Sequence, residues 1–424
     1  MKADPSNAVR PTPRPPGRPS LKKEKRDLLI QGATALFNSN GISAISIAEI
    51  AEKLGLARAS VYHYVRDRAD LVYQCYSRSC EQMADDLMEA AANPNGLARV
   101  CGFIERALTP DRLPVAVLSE INSLDASIAD VIRNAHGRNI ASLRRFIRMG
   151  IEDGSIRACD DEVIAQAIFG MLSWSQLLSD WSAKGRAKNL RSEAAIALED
   201  LVSKGLAMEN VKRFEFSFSV DGFRQSPGDV FNREHASRTK KERVLETASR
   251  LFNRGGIDAT SLDEVTDELG VTKGVLYHYL IDKEDLVVKC YERALELQDR
   301  FIEVSIERGS NGLESALINA HLNIQAKASE LSPLMPQPGF GSLPEDDQRR
   351  FKKIARRQNK TIARFLDQGI EAGIARSCYT TLVAHLSAGA FGWIPKWRDI
   401  DDYRSAIGIA DEICDFLFAG LQAK

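Results

Sequence analysis

Apolar residues recur every three to four positions through most of this chain, which is the spacing of amphipathic helices. The first such run consists of Leu28, Leu29, Ala33, Leu36 and Phe37, and Gly41 follows it as a stop signal. Similar one-sided runs continue to the end of the chain. The hydrophobic pattern therefore predicts an all-α fold.

Start and stop signals divide the region after the first helix into short pieces. Ser46 and Glu49 have the spacing of a capping box, in which each side chain bonds the other residue's backbone amide. A short helix is predicted from Ser46 to about Leu54, Gly55 supplies a turn, and a third helix covers about Arg58 to Tyr64. Two short helices joined by a glycine-containing turn, with the first helix behind them, form a helix-turn-helix.

The same signals occur a second time, 215 residues later. Residues 25–76 and 240–291 are identical at 21 of 52 positions without a gap. Farther along, residues 369–373 match residues 150–154, and Trp393 follows Trp174 at the same spacing of 219 residues. The sequence therefore predicts two copies of one helical unit in tandem.

These repeats set the predicted divisions of the chain. The first half consists of a disordered basic arm (1–20), a helix-turn-helix domain (21–82, motif about 45–64) and a helical domain (83–208). The second half follows as a linker (209–237), a second helix-turn-helix domain (238–297, motif about 260–279) and a second helical domain (298–424). In the linker, Phe214, Phe216, Phe218 and Val220 alternate with polar residues, which predicts an extended segment docked on a domain.

Composition narrows the class of protein. Apolar residues make up 44% and charged residues 27%, as in soluble globular proteins, and no apolar run reaches the length of a membrane span. We expect a cytoplasmic protein without a membrane partner. The seven cysteines include no CxxC pair, which argues against a disulfide framework or a zinc site. No cofactor and no metal are expected.

The net charge of −1 hides a basic N-terminus. Residues 1–30 contain eight Lys or Arg against three acidic residues, so the local field there favours an anionic partner. Arg18, in Gly17-Arg18-Pro19, is placed to enter a narrow A·T minor groove, because the prolines hold the arm extended. The alternative is a solubilising tail.

The repeated stretch has the chemistry of a recognition helix. Val61 and Val65 are apolar anchors four residues apart, and Leu276 and Leu280 replace them in the second copy. On the other side, Arg58 and Lys273 can reach phosphates or a guanine edge. The small Ala59 and Gly274 let the helix enter the major groove deeply, and the Tyr-His-Tyr sequence that ends each copy suits phosphate oxygens.

Both copies resemble the DNA-binding domain of TetR (tetracycline repressor) family regulators. The resemblance rests on Ser46-x-x-Glu49-Ile50-Ala51, Leu54-Gly55, Tyr62-His63-Tyr64 and, more closely, residues 271–286. It implies that the helical domains bind an effector and form dimers. The full set of residues predicted to contact DNA is Arg18, Ser46, Arg58, Ala59, Ser60, Tyr62, His63, Tyr64, Arg68, Ser261, Thr272, Lys273, Gly274, Tyr277, His278, Tyr279 and Lys283.

The two copies differ at the start of the third helix. Thr272 stands where the first copy has Ala57. The second copy therefore gains a hydroxyl that can cap the helix, and such a cap stabilises a helix by about 1 kcal/mol. We therefore expect two unlike half-sites in the bound DNA.

Other candidate residues carry two interpretations. The histidines outside the motif, His136, His235, His321 and His385, lack metal-ligand spacing and are expected at the surface or as satisfied core residues. The four tryptophans form either core or a ligand wall. The basic run 349–357 is either a solvated helix face or the rim of a pocket for an anionic effector such as an acyl-CoA ester.

The sequence thus predicts a DNA-binding transcriptional regulator, a repressor released by a small-molecule effector, and no enzyme. Its partners would be a near-palindromic or asymmetric double-stranded operator and the effector, which remains unknown. Either the two halves pair within the chain as a pseudo-dimer, through residues 160–181 and 190–207 and their counterparts, or the chain forms a homodimer. The alternative function is a helical enzyme or a binding module whose helix-turn-helix units have lost DNA binding.

Overall fold

The computed structural model describes residues 21–42, 45–110, 112–177, 190–224, 233–335, 340–341, 343–398 and 404–423. Regular structure in these residues is helical, as predicted, and two isolated β-bridges join separate parts of the chain. None of the described helices is both long enough and apolar enough to cross a membrane.

The helices follow the same order in each half. The described part of the first half forms α1 (Leu21–Asn40), α2 (Ile47–Lys53), α3 (Arg58–Val61), α4 (Arg68–Ala90), α5 (Gly96–Ala107), α6 (Ala126–Glu152), α7 (Asp161–Ser175) and α8 (Leu190–Lys204). The described part of the second half forms α9 (Arg233–Gly255), α10 (Leu262–Leu269), α11 (Lys273–Leu276), α12 (Lys283–Arg308), α13 (Gly312–Lys327), α14 (Glu345–Glu371), α15 (Thr380–Gly392), α16 (Ile394–Trp397) and α17 (Ala406–Ala419). Short 3₁₀ turns cover Ile121–Ser123 and Val220–Phe223.

Both predicted capping boxes are present. The Glu49 amide donates to Ser46 Oγ at 3.2 Å, and the Ser46 amide donates to the Glu49 carboxylate at 2.7 Å. Ser261 and Glu264 make the same two bonds at 3.1 and 2.6 Å. Each box satisfies two amides that the first turn of a helix leaves unpaired, so α2 and α10 begin where the sequence predicts.

Each helix-turn-helix unit has a small core of its own. In the first unit, α1, α2 and α4 bury a cluster that includes Leu29, Phe37, Ile50 and Tyr76. Val244, Phe252, Val265 and Tyr291 belong to the equivalent cluster of the second unit. These separate cores hold each short recognition segment on a scaffold of longer helices.

The two halves share a larger core, where α7 crosses α15 at a pair of glycines. A Cβ atom on Gly170 would lie 2.3 Å from the carbonyl oxygen of Gly389, and one on Gly389 would lie 2.7 Å from the Cα atom of Met171. Side chains at these two positions would push the helices apart. Because Gly389 is the counterpart of Gly170 in the repeat, the same surface faces itself, as in a two-fold symmetric dimer.

Reciprocal contacts at both ends of this interface repeat the symmetry. Ile156 forms a β-bridge with Gln422, and Ala375, the counterpart of Ile156, forms one with Ala207.

Two equivalent arginines reinforce these bridges. Arg157 pairs with Asp415 at 2.6 Å, and Arg376 pairs with Asp200 at 2.8 Å. The described residues thus pair within one chain as the sequence predicts for 160–181 and 190–207, although residues 178–181 lie outside the described residues.

The linker lies against the second half. The Phe214 ring is 5.7 Å from the Phe418 ring, and the Phe216 ring is 4.7 Å from the His321 ring. The Gln325 side chain donates to the Phe218 carbonyl at 2.9 Å. The described part of the linker is therefore docked, as expected, while residues 225–232 lie outside the described residues.

Candidate functional site

The two recognition segments are shorter than the sequence predicts. Each is a single four-residue helical turn, α3 or α11, and the Tyr-His-Tyr residues form a turn that follows it. Val61 and Leu276 are 0% exposed, and Val65 and Leu280 are also buried. The predicted anchors therefore fix the inner side of each segment.

The opposite side of each segment faces solvent. Tyr62 is 45% and Tyr277 51% exposed, which leaves two large rings without a cover in the described residues. The other exposed residues of the predicted set are Ser46, Arg58, Ala59, His63, Ser261, Thr272, Lys273, Gly274 and His278. Large exposed rings beside cationic and hydroxyl side chains form a surface suited to phosphates and base edges.

Five residues of the predicted set are partly buried, and three of them lie in the recognition segments or in the turns that follow them. Ser60, Tyr64 and Tyr279 each lie partly inside their unit, and the two tyrosine rings pack against the small cores. The Lys289 ammonium donates to the Tyr279 carbonyl at 3.0 Å. These tyrosines therefore have a packing role beside the predicted contact with DNA.

The capping difference between the copies is absent, which corrects an expectation. Thr272 occupies the N-cap position of α11, but its side chain makes no capping hydrogen bond, and neither does Ala57 at α3. The backbone alone closes each turn, with Ser60 N bonded to the Ala57 carbonyl at 2.8 Å and Val275 N to the Thr272 carbonyl at 3.0 Å. The Thr272 hydroxyl therefore does not stabilise its helix here.

A different asymmetry is present at the start of the recognition segments. The Lys273 ammonium pairs with the Asp263 carboxylate at 2.6 Å, and this hydrogen bond raises the pKa of Lys273. In the first copy the residue equivalent to Asp263 is Ala48, and Arg58 carries no such pair in the described residues. The second copy must break an ion pair before Lys273 can contact a phosphate.

Arg68 and Lys283 face their own units. The Arg68 guanidinium donates to the Ile42 carbonyl, and the Lys283 ammonium donates to the Asp258 carbonyl at 3.1 Å. Burial lowers the pKa of Lys283, and the nearby Asp258 carboxylate opposes this effect. Each cation thus holds the first turn of a long helix, α4 or α12, against the loop that precedes the helix-turn-helix of the same unit. Arg18 lies outside the described residues.

Apart from these surfaces, the described residues enclose a large cavity. It has a volume of about 1270 Å³ and lies among α12, α13, α14 and α15 of the second half. The first half closes it with residues of α1, α7 and α8, among them Asn38, Trp174 and Arg191. An occupant that fills the cavity would therefore touch both halves.

The cavity lining combines an apolar body with positive charge. Its described cationic residues are Arg191, Lys327, Arg356 and Lys360, and no aspartate or glutamate is among its described lining residues. Lys327 is buried, its ammonium donates to the Pro333 carbonyl, and burial lowers its pKa well below the usual range. A buried ammonium without a carboxylate is costly and therefore favours an anion beside it.

Polar atoms without partners also face this space. Trp174 Nε1, Asn319 Nδ2 and His385 Nε2 belong to residues that line the cavity, and these atoms are buried without a hydrogen-bond partner among the described residues. The expectation of a surface or satisfied residue is thus wrong for His385, and also for His136, whose Nδ1 is buried without a partner among the described residues. Burial lowers the pKa of His385 to about 4, so its ring is neutral at pH 7.

Both interpretations of the tryptophans and of the basic run find support. Trp174 is a wall of the cavity and lies 5.8 Å from the His385 ring. In the run 349–357, Arg350 and Arg357 pair with Glu292 and Asp299 on the surface of α12. Arg356 reaches the rim of the cavity.

Lys396 joins the two helix-turn-helix units. Its ammonium donates to the Ser119 carbonyl at 2.6 Å and to the Arg254 carbonyl at 3.2 Å. Ser119 belongs to the loop that packs on the first unit, and Arg254 is near the end of the first helix of the second. Burial lowers the pKa of Lys396 to about 8. Nothing in the sequence pattern identifies this lysine, because its partners are backbone carbonyls far along the chain.

Family models match the helix-turn-helix domain and the helical domain in each half of the chain. The model described as bacterial regulatory proteins, tetR family, matches residues 29–75 and 244–290. The model described as tetracyclin repressor-like, C-terminal domain, matches residues 97–181 and 315–421. The four matches together cover more than half of the chain.

Among curated proteins, the chain is similar to the uncharacterized HTH-type transcriptional regulator YxaF of Bacillus subtilis, with 34% identity over 76 residues. This match covers 18% of the chain and 40% of YxaF, less than half of that protein. The HTH-type transcriptional repressor KstR2 of Mycobacterium tuberculosis is 26% identical over 149 residues, which are 32% of the chain and 70% of KstR2.

Solved structures of single units align with part of the chain. AibR in complex with isovaleryl coenzyme A and operator DNA is 17% identical, with a TM-score of 0.36, over 42% of this chain and 98% of AibR. A TetR family regulator from Thermus thermophilus, PfmR, is 22% identical, with a TM-score of 0.34, over 41% of this chain and 96% of PfmR. On the matches to the family models, with both parts present twice, the chain belongs to the TetR family of transcriptional regulators and carries two of its units in tandem.

Proposed function

We propose that one copy of the chain binds one operator through both recognition segments and represses transcription in the cytoplasm until an effector enters the cavity. The observation that carries this proposal is the reciprocal interface between the halves. Gly170 meets Gly389, and the arginine pairs of Arg157 and Arg376 are equivalent. Two-fold related recognition helices suit successive major-groove turns about 34 Å apart.

The exposed side of each segment supplies the contacts with DNA. Arg58 and Lys273 bind phosphates or guanine, and the Tyr62 and Tyr277 hydroxyls bind phosphates. Because Asp263 competes with the DNA for Lys273 and Arg58 has no equivalent acid, the two half-sites are read unequally. The operator is therefore expected to be imperfectly palindromic.

The cavity supports release by a small molecule. Helix α12 begins directly after the second recognition segment and contributes Leu295, Gln298 and Phe301 to the cavity wall. A ligand that favours another position of α12 lowers the affinity for the operator, and the operator lowers the affinity for the ligand by the same factor. An acyl-CoA ester, with an apolar chain and anionic phosphates, is one molecule that fits the lining.

The test is selection of genomic fragments on the purified chain, followed by titration of the selected duplex by fluorescence anisotropy. We expect affinity to fall steeply with salt. A plot of the logarithm of the binding constant against the logarithm of the salt concentration should have a slope of about −0.9 for each phosphate contacted. Tyr277→Ala should weaken binding, whereas Met88→Ala, at an exposed position of α4 outside the predicted DNA contacts, should not.

Light scattering of the complex should give one chain per duplex. Two chains per duplex would favour the homodimer. Absence of salt-dependent binding would reject the regulator and favour a binding module or an enzyme.

A further inference from the structure

The two helical domains can be aligned helix by helix, which allows the cavity to be compared with its counterpart. Helices α5 and α13 align through their N-cap residues Asn95 and Asn311. Helices α6 and α14 have equal lengths and align end to end, and α7 aligns with α15 through Gly170 and Gly389.

Large side chains fill this region in the first half. The Phe103 and Phe169 rings are 5.5 Å apart, and the His136 ring meets Phe169 edge-on at 5.4 Å. Phe103 and Phe169 are both 0% exposed. Three packed rings leave little room for a ligand.

The second half has smaller residues at all three positions. Asn319 replaces Phe103, Ala355 replaces His136, and Ala388 replaces Phe169. In addition, Ala316 and Ala320 replace Val100 and Ile104. All five replacements line the cavity of about 1270 Å³. The cavity therefore exists because large side chains present in one copy are absent from the other.

We infer that the chain has one effector site, in the second half, and that this site takes an amphipathic anion whose charged group binds Lys327. This inference rests on the proposed role of the cavity in release. Asn319, His385 and Trp174 offer hydrogen-bond donors for an oxygen on the ligand, and Arg356 and Lys360 attract the anion at the rim.

The position of Lys327 connects the site to the second helix-turn-helix unit. The Pro333 carbonyl accepts hydrogen bonds from the Lys327 ammonium and from Asn253 Nδ2, the latter at 3.1 Å. Asn253 is a buried residue of α9, and its Oδ1 accepts from the Met335 amide at 3.1 Å. An anion that draws Lys327 away from Pro333 changes the contact that holds this loop on α9.

The first half receives the signal through the shared wall. Trp174 ends α7, and Asn38 lies on α1 of the first unit. One ligand in the second half therefore contacts structural elements of both helix-turn-helix units, so a second site is not needed for both to respond.

The test uses two fluorescent probes with the same aromatic body on the full chain. 1-Anilinonaphthalene-8-sulfonate carries an anion, and N-phenyl-1-naphthylamine does not. We expect one sulfonate probe per chain at saturation. Lys327→Met should weaken the sulfonate probe roughly tenfold to a hundredfold and leave the neutral probe unchanged, which also reports that the cavity is intact.

A filled variant tests the location. Asn319→Phe with Ala388→Phe rebuilds two first-half residues in the second half and should abolish binding of both probes. Met88→Phe, which adds a ring at a position 69% exposed, is the matched control and should bind as the wild type does. Cooperative thermal unfolding of the filled variant verifies that it folds.

Any one of three results would overturn the inference. These are binding of two probes per chain, binding of a probe by the folded filled variant, and equal affinities of Lys327→Met and the wild type for the sulfonate probe. These measurements contain no DNA. A chain that binds one sulfonate probe as described but no operator would reject the proposed function and leave the site in place.

Discussion

Two glycine-to-alanine changes, one at the crossing of α7 and α15 and one on an exposed helix surface, should change the free energy of unfolding in opposite directions. Glycine in a helix interior costs about 1 kcal/mol relative to alanine, so an added methyl group normally stabilises a helix. Gly137 is an exposed residue within α6, and a Cβ there meets nothing within 4 Å. Gly137→Ala should therefore raise the free energy of unfolding by about 1 kcal/mol.

Gly170→Ala should have the opposite effect. Its Cβ would lie 2.3 Å from the Gly389 carbonyl oxygen, whereas ordinary contacts of a Cβ begin at 3.4 Å. The obstacle is backbone, so α7 and α15 must separate by about 1 Å along their whole contact. Overpacking of this kind costs about 1–3 kcal/mol. After subtraction of the gain in helix propensity of about 1 kcal/mol, we expect a net loss of up to about 2 kcal/mol.

Thermal unfolding by circular dichroism measures both variants under one condition. The melting temperature should rise for Gly137→Ala and fall for Gly170→Ala, and Gly389→Ala should behave like Gly170→Ala. A Gly170→Ala variant as stable as Gly137→Ala would refute the close crossing of the two helices, and with it the reciprocal interface within the chain.

Three further outcomes are expected. Asp263→Ala should tighten binding to the selected operator roughly two- to fivefold, because it frees Lys273 and removes a negative charge beside the second recognition segment. Asp85 is an exposed acid on α4, and Asp85→Ala should have no effect in the same anisotropy titration. Phe169→Ala should lower the free energy of unfolding by about 3–5 kcal/mol in denaturant, because it opens a cavity among packed rings. Ala388→Phe, at the equivalent position of the second half, should cost far less because its ring enters the existing cavity; equal losses would contradict the location of the cavity in the second half. The pKa of Lys396 is lowered from 10.5 to about 8, so the folded state disfavours its charged form, and wild-type stability should rise between about pH 8 and pH 10.5 relative to Lys396→Met; parallel pH profiles of melting temperature would show that Lys396 is not buried.

Local signals in the sequence were sufficient for the helix-turn-helix units. Ser46 with Glu49, the glycine turns and the buried Val61 and Leu276 all depend on neighbours within a few residues, so their spacing determines their role. The Thr272 hydroxyl shows the limit of such reasoning, because a preferred cap residue does not make the bond when the backbone closes the turn alone.

Tertiary features left weaker traces. The cavity was readable in principle, since Phe169 and Ala388 stand at equivalent positions of the repeat, but only a comparison of the copies reveals it. His385 and Lys396 were not identifiable, because their environment is created by segments more than 100 residues away.

The union of both halves in one polypeptide has a consequence for dosage. A regulator assembled from separate subunits loses operator occupancy with the square of its concentration once the dimer dissociates. If one chain binds one operator, as proposed, the second recognition segment is present at the effective concentration set by the intramolecular interface. On that proposal, occupancy should fall only in proportion to the number of chains in the cell, and chains from a defective allele should not inactivate functional chains by forming mixed dimers.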